Sequence, residues 1–229
     1  MNLLAIETAT EVCSVALRSG GDVLARFERA PRQHADFVLS MCSELLGEAG
    51  IQVNQLDAVA FGRGPGSFTG LRIAAGTVQG IAFGLDLPVV PVSTLAAMAQ
   101  GAITECGVTR VLCALDARMD EVYWGAYEKG EDGLAHTMDE ELVCPPEHVP
   151  VPPGGQFYGA GSGWKAYGAI LREHIGAGNL LEVEKDRYPD ARYVLPLGAD
   201  VFRRGEAVPA EQAQPVYLRD KVAKKVAPP

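Results

Sequence analysis

Residues 61–98 read FGRGPGSFTGLRIAAGTVQGIAFGLDLPVVPVSTLAAM, and the order of residue types in them decides the fold. An apolar run ends at Phe61, then Gly62, Gly64, Pro65, Gly66 and Gly70 follow, and helical spacing begins at Leu71. That order predicts a strand, a tight loop and a helix start. Glycine lets the backbone bend and approach a neighbour, Ser67 or Thr69 can cap the helix, and the first free N–H groups would face an anion in the loop. Gly76, Gly80 and Gly84 recur at intervals of four and so share one side of that helix. Each costs about 1 kcal/mol relative to alanine in a helix, so the row implies a backbone packed very close to it. Two readings compete: a phosphate or nucleotide loop feeding a helix that meets a partner, or a tight turn leading into a core helix. The loop lacks the Lys-Ser/Thr of a P-loop and the spacing of GxGxxG.

The 229 residues suffice for one large or two small cores. A net charge of −9 argues against unaided tight binding to nucleic acid, which depends on phosphate neutralisation. Basic residues gather only at Lys221, Lys224 and Lys225. Cys13, Cys42, Cys106, Cys113 and Cys144 are odd in number and lack CxxC spacing, which reads as a reduced, cytosolic chain. Glu7 interrupts the apolar start before a signal peptide could form, and no apolar run is long enough to predict a membrane span.

Around the central stretch, residues 3–6, 12–17 and 23–27 predict a three-strand meander, with the polar turn ETATE at 7–11 projecting an acid and a hydroxyl past the sheet end. Residues 35–48 predict a helix in which Phe37, Met41 and Leu45 share a stripe, Val38, Cys42 and Leu46 lie beside it, and Leu39 lies beyond. This apolar arc is wider than one core contact requires. Residues 56–61 predict a buried parallel strand delivering the chain to the glycine loop. A second unit repeats the layout: strand 110–115, acidic turn 116–120, strand 121–127, then an apolar run into the glycine loop 159–163 and a helix over 164–174. Residues 128–155 predict loops with short strands, and 191–204 a further helix, with Pro196 tolerable only near its first turn. Residues 215–219 read as a last ordered edge. The expected division is a lobe over 1–100 and a second over 101–229, the helix near 191–204 packing back on the first.

LLAIETATEVCSVAL, GRGPGSFTGLRIAAGTVQGIAFGLDLPVVPVSTLAAMA, VLCALDARMDEVYWGAY, GAGSGW and QPVYLRDKVA together resemble the TsaB (YeaZ) family of tRNA threonylcarbamoyladenosine biosynthesis proteins. The likeness covers nearly the whole chain. It implies the α/β, two-lobed, duplicated fold of the actin, sugar kinase and heat-shock chaperone ATPase superfamily, built on ribonuclease H-like units. It also implies a role in making N6-threonylcarbamoyladenosine beside the anticodon of tRNAs that read ANN codons. The related catalytic subunit, TsaD, holds its metal through a histidine motif soon after the equivalent glycine helix. Ser93 to Met98 stand there in this chain without a histidine or carboxylate, and His34, His136, His148 and His174 are scattered without ligand spacing. No metal site is expected.

The resemblance therefore implies a non-catalytic scaffold subunit that binds TsaD as a heterodimer, is joined by the ATPase TsaE, meets tRNA only through the complex, and pairs with itself when alone. The expected partner face comprises Phe37, Val38, Leu39, Met41, Cys42, Leu45, Leu46, Leu71, Ala75, Gly76 and Gly80. A vestigial nucleotide cleft would use Glu7, Thr8, Gly64, Gly66 and Asp116, with weak ATP binding at most, since ETATE lacks the glycine of the usual Asp-x-Gly-Thr phosphate loop. The alternatives are an active nucleotide-dependent ATPase or transferase on those residues and, more weakly, a peptidase, for which neither HExxH nor a nucleophile paired with a base is visible.

Overall fold

The computed structural model describes residues 1–29 and 31–219. Alternation in the first strands sorts the N-terminal core into two faces. Strands β1 (Leu3–Glu7), β2 (Val12–Ser19) and β3 (Asp22–Arg29) form an antiparallel meander. Leu4 and Ile6 point to one side of it, Leu3 and Ala5 to the other. The first side is covered by α1 (His34–Glu48), which seats Val38, Met41 and Leu45 on β2. Strand β4 (Ala58–Gly62) then pairs parallel with β1, and its five buried residues match a strand covered on both faces. Helix α2 (Phe68–Leu85) lies beside α1 on the same side, with Ser67 as its cap, and β5 (Val89–Val92) completes the order β3-β2-β1-β4-β5.

The second half repeats this plan. Helix α3 (Thr94–Cys106) leads to the antiparallel pair β6 (Arg110–Arg118) and β7 (Glu121–Lys129), with the short strands β8 (Ala135–Thr137) and β9 (Leu142–Cys144) on β7. Strand β10 (Phe157–Ala160) pairs parallel with β6 and runs through Gly161 into α4 (Ser162–Ile175), as β4 runs into α2. After β11 (Leu180–Glu184), helix α5 (Ala191–Arg203) closes the described fold. The order β8-β7-β6-β10-β11 reproduces that of the first sheet, so the chain has the duplicated, two-lobed α/β fold that the resemblance implied. Val122, Trp124 and Ala126 face α4, where Trp124 and Trp164 lie 6.1 Å apart, each indole N–H donating to a backbone carbonyl.

Helix α5 crosses back onto the second face of the first sheet, where Val194 and Leu195 meet Leu3, Ala5, Ala60 and Val92, while α3 covers the inner face of the second sheet and packs on α5. A boundary between residues 100 and 101 falls inside α3, a helix the periodicity of STLAAMAQGAITEC did not single out because its alanines suit any apolar segment. Strand β11 also lacked a signal, since only Leu180 of its five residues is fully buried. Pro196 sits beyond the first turn of α5, so the Arg192 carbonyl loses its helical N–H donor. Residues 215–219 lie against the sheet ends without forming a strand, and Lys221, Lys224 and Lys225 fall outside the described residues.

Candidate functional site

The polar turn after β1 and the glycine loop after β4 are locked into each other. Ser67 N–H donates to the Ala9 carbonyl at 2.7 Å, and Thr8 Oγ1 donates to the Gly70 carbonyl at 2.7 Å. A Cβ on Gly70 would stand 1.9 Å from the Thr8 carbonyl oxygen, and one on Gly66 2.5 Å from that of Ala9. These glycines serve backbone-to-backbone contact, and the space a phosphate would need between loop and turn is filled by the chain itself. Thr8 is fully buried and Gly64 packs under Leu71 and the Val216 carbonyl, so neither faces solvent. Gly70→Ala is expected to lower stability by about 2–3 kcal/mol through overpacking, whereas Gly76→Ala, whose Cβ meets nothing within 4 Å, should raise it by about 0.5–1 kcal/mol. Urea unfolding of the two variants beside the native chain measures both.

Glu7 is a buried strut of this junction. It is 1 % exposed; Oε1 accepts the Ala9 N–H at 2.7 Å and Oε2 the Thr94 hydroxyl at 3.0 Å. Burial, helped by the charge of Asp190, raises its pKa from 4.5 to about 7 against the pull of those hydrogen bonds. Gly62 makes room, since a Cβ there would stand 1.8 Å from Glu7 Oε2. Thr94 and Met98, in the stretch the resemblance singled out as lacking metal ligands, are both buried, the first bonded to Glu7 and the second packed on Gly161.

Of the five residues expected to form a nucleotide cleft, only Gly66 and Asp116 line the open cleft between the lobes, a space of about 970 Å³. Glu7, Thr8 and Gly64 lie beneath its floor, which corrects that expectation for these three: Glu7 and Thr8 are taken up by Thr94 and the Gly70 carbonyl, while Ala9, Thr10 and Glu11 of the same turn line the cleft. Asp116 accepts from the Arg118 backbone N–H at 2.8 Å and from its guanidinium at 2.9 Å. Arg118, Met119 and Asp120 all hold φ near 60°, three non-glycine residues in the left-handed region at the tip of the β6–β7 hairpin. The starts of α2 and α4 and the buried His34 border the same cleft, and His34 Nε2 finds no partner among the described residues.

The outer side of α1 and α2 forms a second feature. Gly76, Gly80 and Gly84 are exposed, and a Cβ on any of them would meet nothing within 4 Å. The row therefore does not pack inside the subunit. Phe83 beside it is 80 % exposed and Leu39 on α1 60 %. Val38, Met41, Cys42, Leu45, Leu71 and Ala75 belong to the chain's own core, so six of the expected partner residues are withdrawn from the face. The arc looked too wide because the helix touches both β2 and α2 and needs apolar residues toward each. Phe37 is exposed, although it shares its stripe with the buried Met41 and Leu45, and Leu46 is half-buried. Phe83 escaped the sequence reading, although its position three residues after Gly80 places it on the same side of α2.

No group of three or more histidine, cysteine or acidic residues that could hold a metal occurs among the described residues, where no helix is long and apolar enough to cross a membrane. The five cysteines are unpaired thiols.

The model of the family described as TsaD, tRNA N6-adenosine threonylcarbamoyltransferase, matches residues 28–226. The tRNA threonylcarbamoyladenosine biosynthesis protein TsaB of Escherichia coli K12 is 45 % identical, the match covering 100 % of this chain and 99 % of that one. Its namesake in Haemophilus influenzae is 38 % identical, over 100 % and 98 % of the two chains. The solved structure of YeaZ from Pseudomonas aeruginosa superposes with a TM-score of 0.89 at 48 % identity, covering 95 % of this chain and 99 % of that one. With its whole length, both its lobes and its glycine-loop helix matched in this way, the chain belongs to the TsaB (YeaZ) family.

Proposed function

We propose that this protein is the non-catalytic partner subunit in the formation of N6-threonylcarbamoyladenosine next to the anticodon of ANN-reading tRNAs. It acts in the cytosol by binding the catalytic subunit TsaD and keeping it competent; the ATPase TsaE joins the complex, and tRNA is met only through it. The observation that carries this reading is the open glycine row of α2. Helix α2 presents Gly76, Gly80 and Gly84 to solvent with nothing above them. Three helix-weakening residues on an exposed side have no use in the isolated fold and allow another backbone to approach closely. Phe83 and Leu39 supply the apolar rim. The same side can pair with a second copy about a two-fold axis, so homodimer and TsaD heterodimer compete for it.

A nucleotide-dependent enzyme is the second reading, favoured by the interlobe cleft and Asp116. The filled space under the ETATE turn weighs against it and leaves ATP at most a weak ligand, one the chain does not require. The deciding experiment is co-purification with TsaD followed by a threonylcarbamoylation assay with each subunit omitted in turn. Modification should require both proteins and vanish when either is left out. Transfer by this chain alone would defeat the scaffold reading, and full activity of TsaD without it would remove its role.

A further inference from the structure

The end of the described chain also joins the two lobes. Gln79 Nε2 donates to the Ala213 carbonyl at 3.0 Å, and Val216 N–H donates to the Arg63 carbonyl at 2.7 Å, laying this segment along the first lobe. Tyr217 then stacks on Phe68 at the start of α2, ring centroids 5.5 Å apart. Arg72 braces the pair, its guanidinium 3.9 Å above the Phe68 ring and its Nε donating to Tyr217 Oη at 3.2 Å. Two residues on, Arg219 reaches the other lobe. It donates to Glu121 at 2.5 Å and to the Arg118 carbonyl at 3.2 Å, and its guanidinium lies 3.7 Å from Met119 Sδ.

Arg219 thus grips the left-handed tip of the β6–β7 hairpin, while Tyr217 grips the cap of α2, and both side chains line the cleft between them. Three consecutive non-glycine residues near φ 60° are held only where the surroundings over-determine them. On this hairpin the determining contacts include a residue from the far end of the chain. The Arg219–Glu121 pair is also sheltered, with side chains 17 % and 31 % exposed, unlike most ion pairs of the surface.

We propose that residues 213–219 are a clasp that ties the two walls of the open interlobe cleft together and sets its width, Tyr217 seated on the first lobe and Arg219 on the second, and that freeing either grip lets the walls move further apart. The inference does not depend on the proposed function, since it concerns access to the cleft and not the partner side of α2.

The test is hydrogen exchange followed by mass spectrometry on the full chain carrying Tyr217→Ala or, separately, Glu121→Gln. The Ser67 amide, bonded to the Ala9 carbonyl, reports the first wall, and the Arg118 amide, bonded to the Asp116 carboxylate, reports the second. A clasp predicts a crossed effect. Tyr217→Ala should speed exchange over residues 115–120, which it does not touch, by about tenfold, and Glu121→Gln should do the same over residues 66–70. Mid-strand amides of β4 and β6 should keep their protection in both. Acceleration confined to the segment each substitution touches would overturn the proposal, as would none at all. Should Tyr217→Ala lower the protection of β4 and β6 as well, Tyr217→Phe, which loses only the bond to Arg72, and Glu121→Gln carry the same crossed comparison.

Discussion

Glu7→Gln is expected to stabilise the protein by about 3 kcal/mol at pH 8.5 and to leave it nearly unchanged at pH 4.5. In the folded chain the carboxyl is fully buried and its pKa stands near 7, above the ordinary 4.5. Between those two values the folded state keeps a proton that the unfolded state has released. Stability therefore falls as pH rises through the window, by up to about 1.4 kcal/mol per pH unit, and the loss is complete above pH 7. Glutamine cannot ionise, so the variant escapes that loss. It also keeps the geometry: the amide oxygen accepts from Ala9 N–H, and the amide nitrogen donates to Thr94 Oγ1 where the protonated acid would. The opposite shift of Glu105, whose carboxylate is held below the ordinary range by Tyr193 and Arg187 against its own desolvation, acts at more acidic pH. Urea midpoints at pH 4.5 and pH 8.5 for both proteins make the comparison. Parallel pH profiles would show that the native glutamate does not titrate in this window.

The second large effect is on association. Gly80→Leu should fold normally, because a Cβ there has open space, yet it should weaken binding to TsaD by about 2 kcal/mol or more, roughly thirtyfold in Kd. Phe83→Asp and Leu39→Asp place a charge in the apolar rim and should act in the same direction; Leu46→Asp, half-buried, should also cost stability. Size-exclusion chromatography and pull-down with TsaD separate the outcomes. A folded, monomeric Gly80→Leu chain that no longer captures TsaD places the interface on α2. Undiminished capture by Gly80→Leu and Phe83→Asp together would move it elsewhere.

Apart from α3 and β11, the main strands and helices were legible because their signals are local. The apolar run before Gly62, the cap at Ser67 and the repetition of strand, acidic turn, strand and glycine loop in the second half depend on neighbouring residues alone. The direction in which the glycines of 62–84 face was not legible. Gly66 and Gly70 meet the Ala9 and Thr8 carbonyls, and Gly76 and Gly80 meet open space, and the two pairs read alike in a sequence because their neighbours lie far along the chain or are missing from it. Glu7 shows the same limit. An acid at the end of a buried strand suggests a ligand, and only the positions of Thr94 and Gly62, more than fifty residues away, reveal a strut. Residues 215–219 read only as an ordered edge, since the grip of Tyr217 and Arg219 on two lobes appears only once both lobes are folded.

The return of α5 to the first sheet bears on how the chain is made. The alternate face of β1, β2, β4 and β5 leaves the ribosome about 100 residues before Val194 and Leu195, which cover it. At about 5–20 residues per second that is a wait of about 5–20 s. The uncovered face is mostly small, with Ala5, Ala16, Ala58 and Ala60 among its valines and Leu3. Alanines present little apolar area to a neighbouring nascent chain and give an unfinished sheet less with which to aggregate. The choice of alanine at these positions thus protects the half-made protein while leaving just enough depth for α5, which arrives long after the sheet it covers.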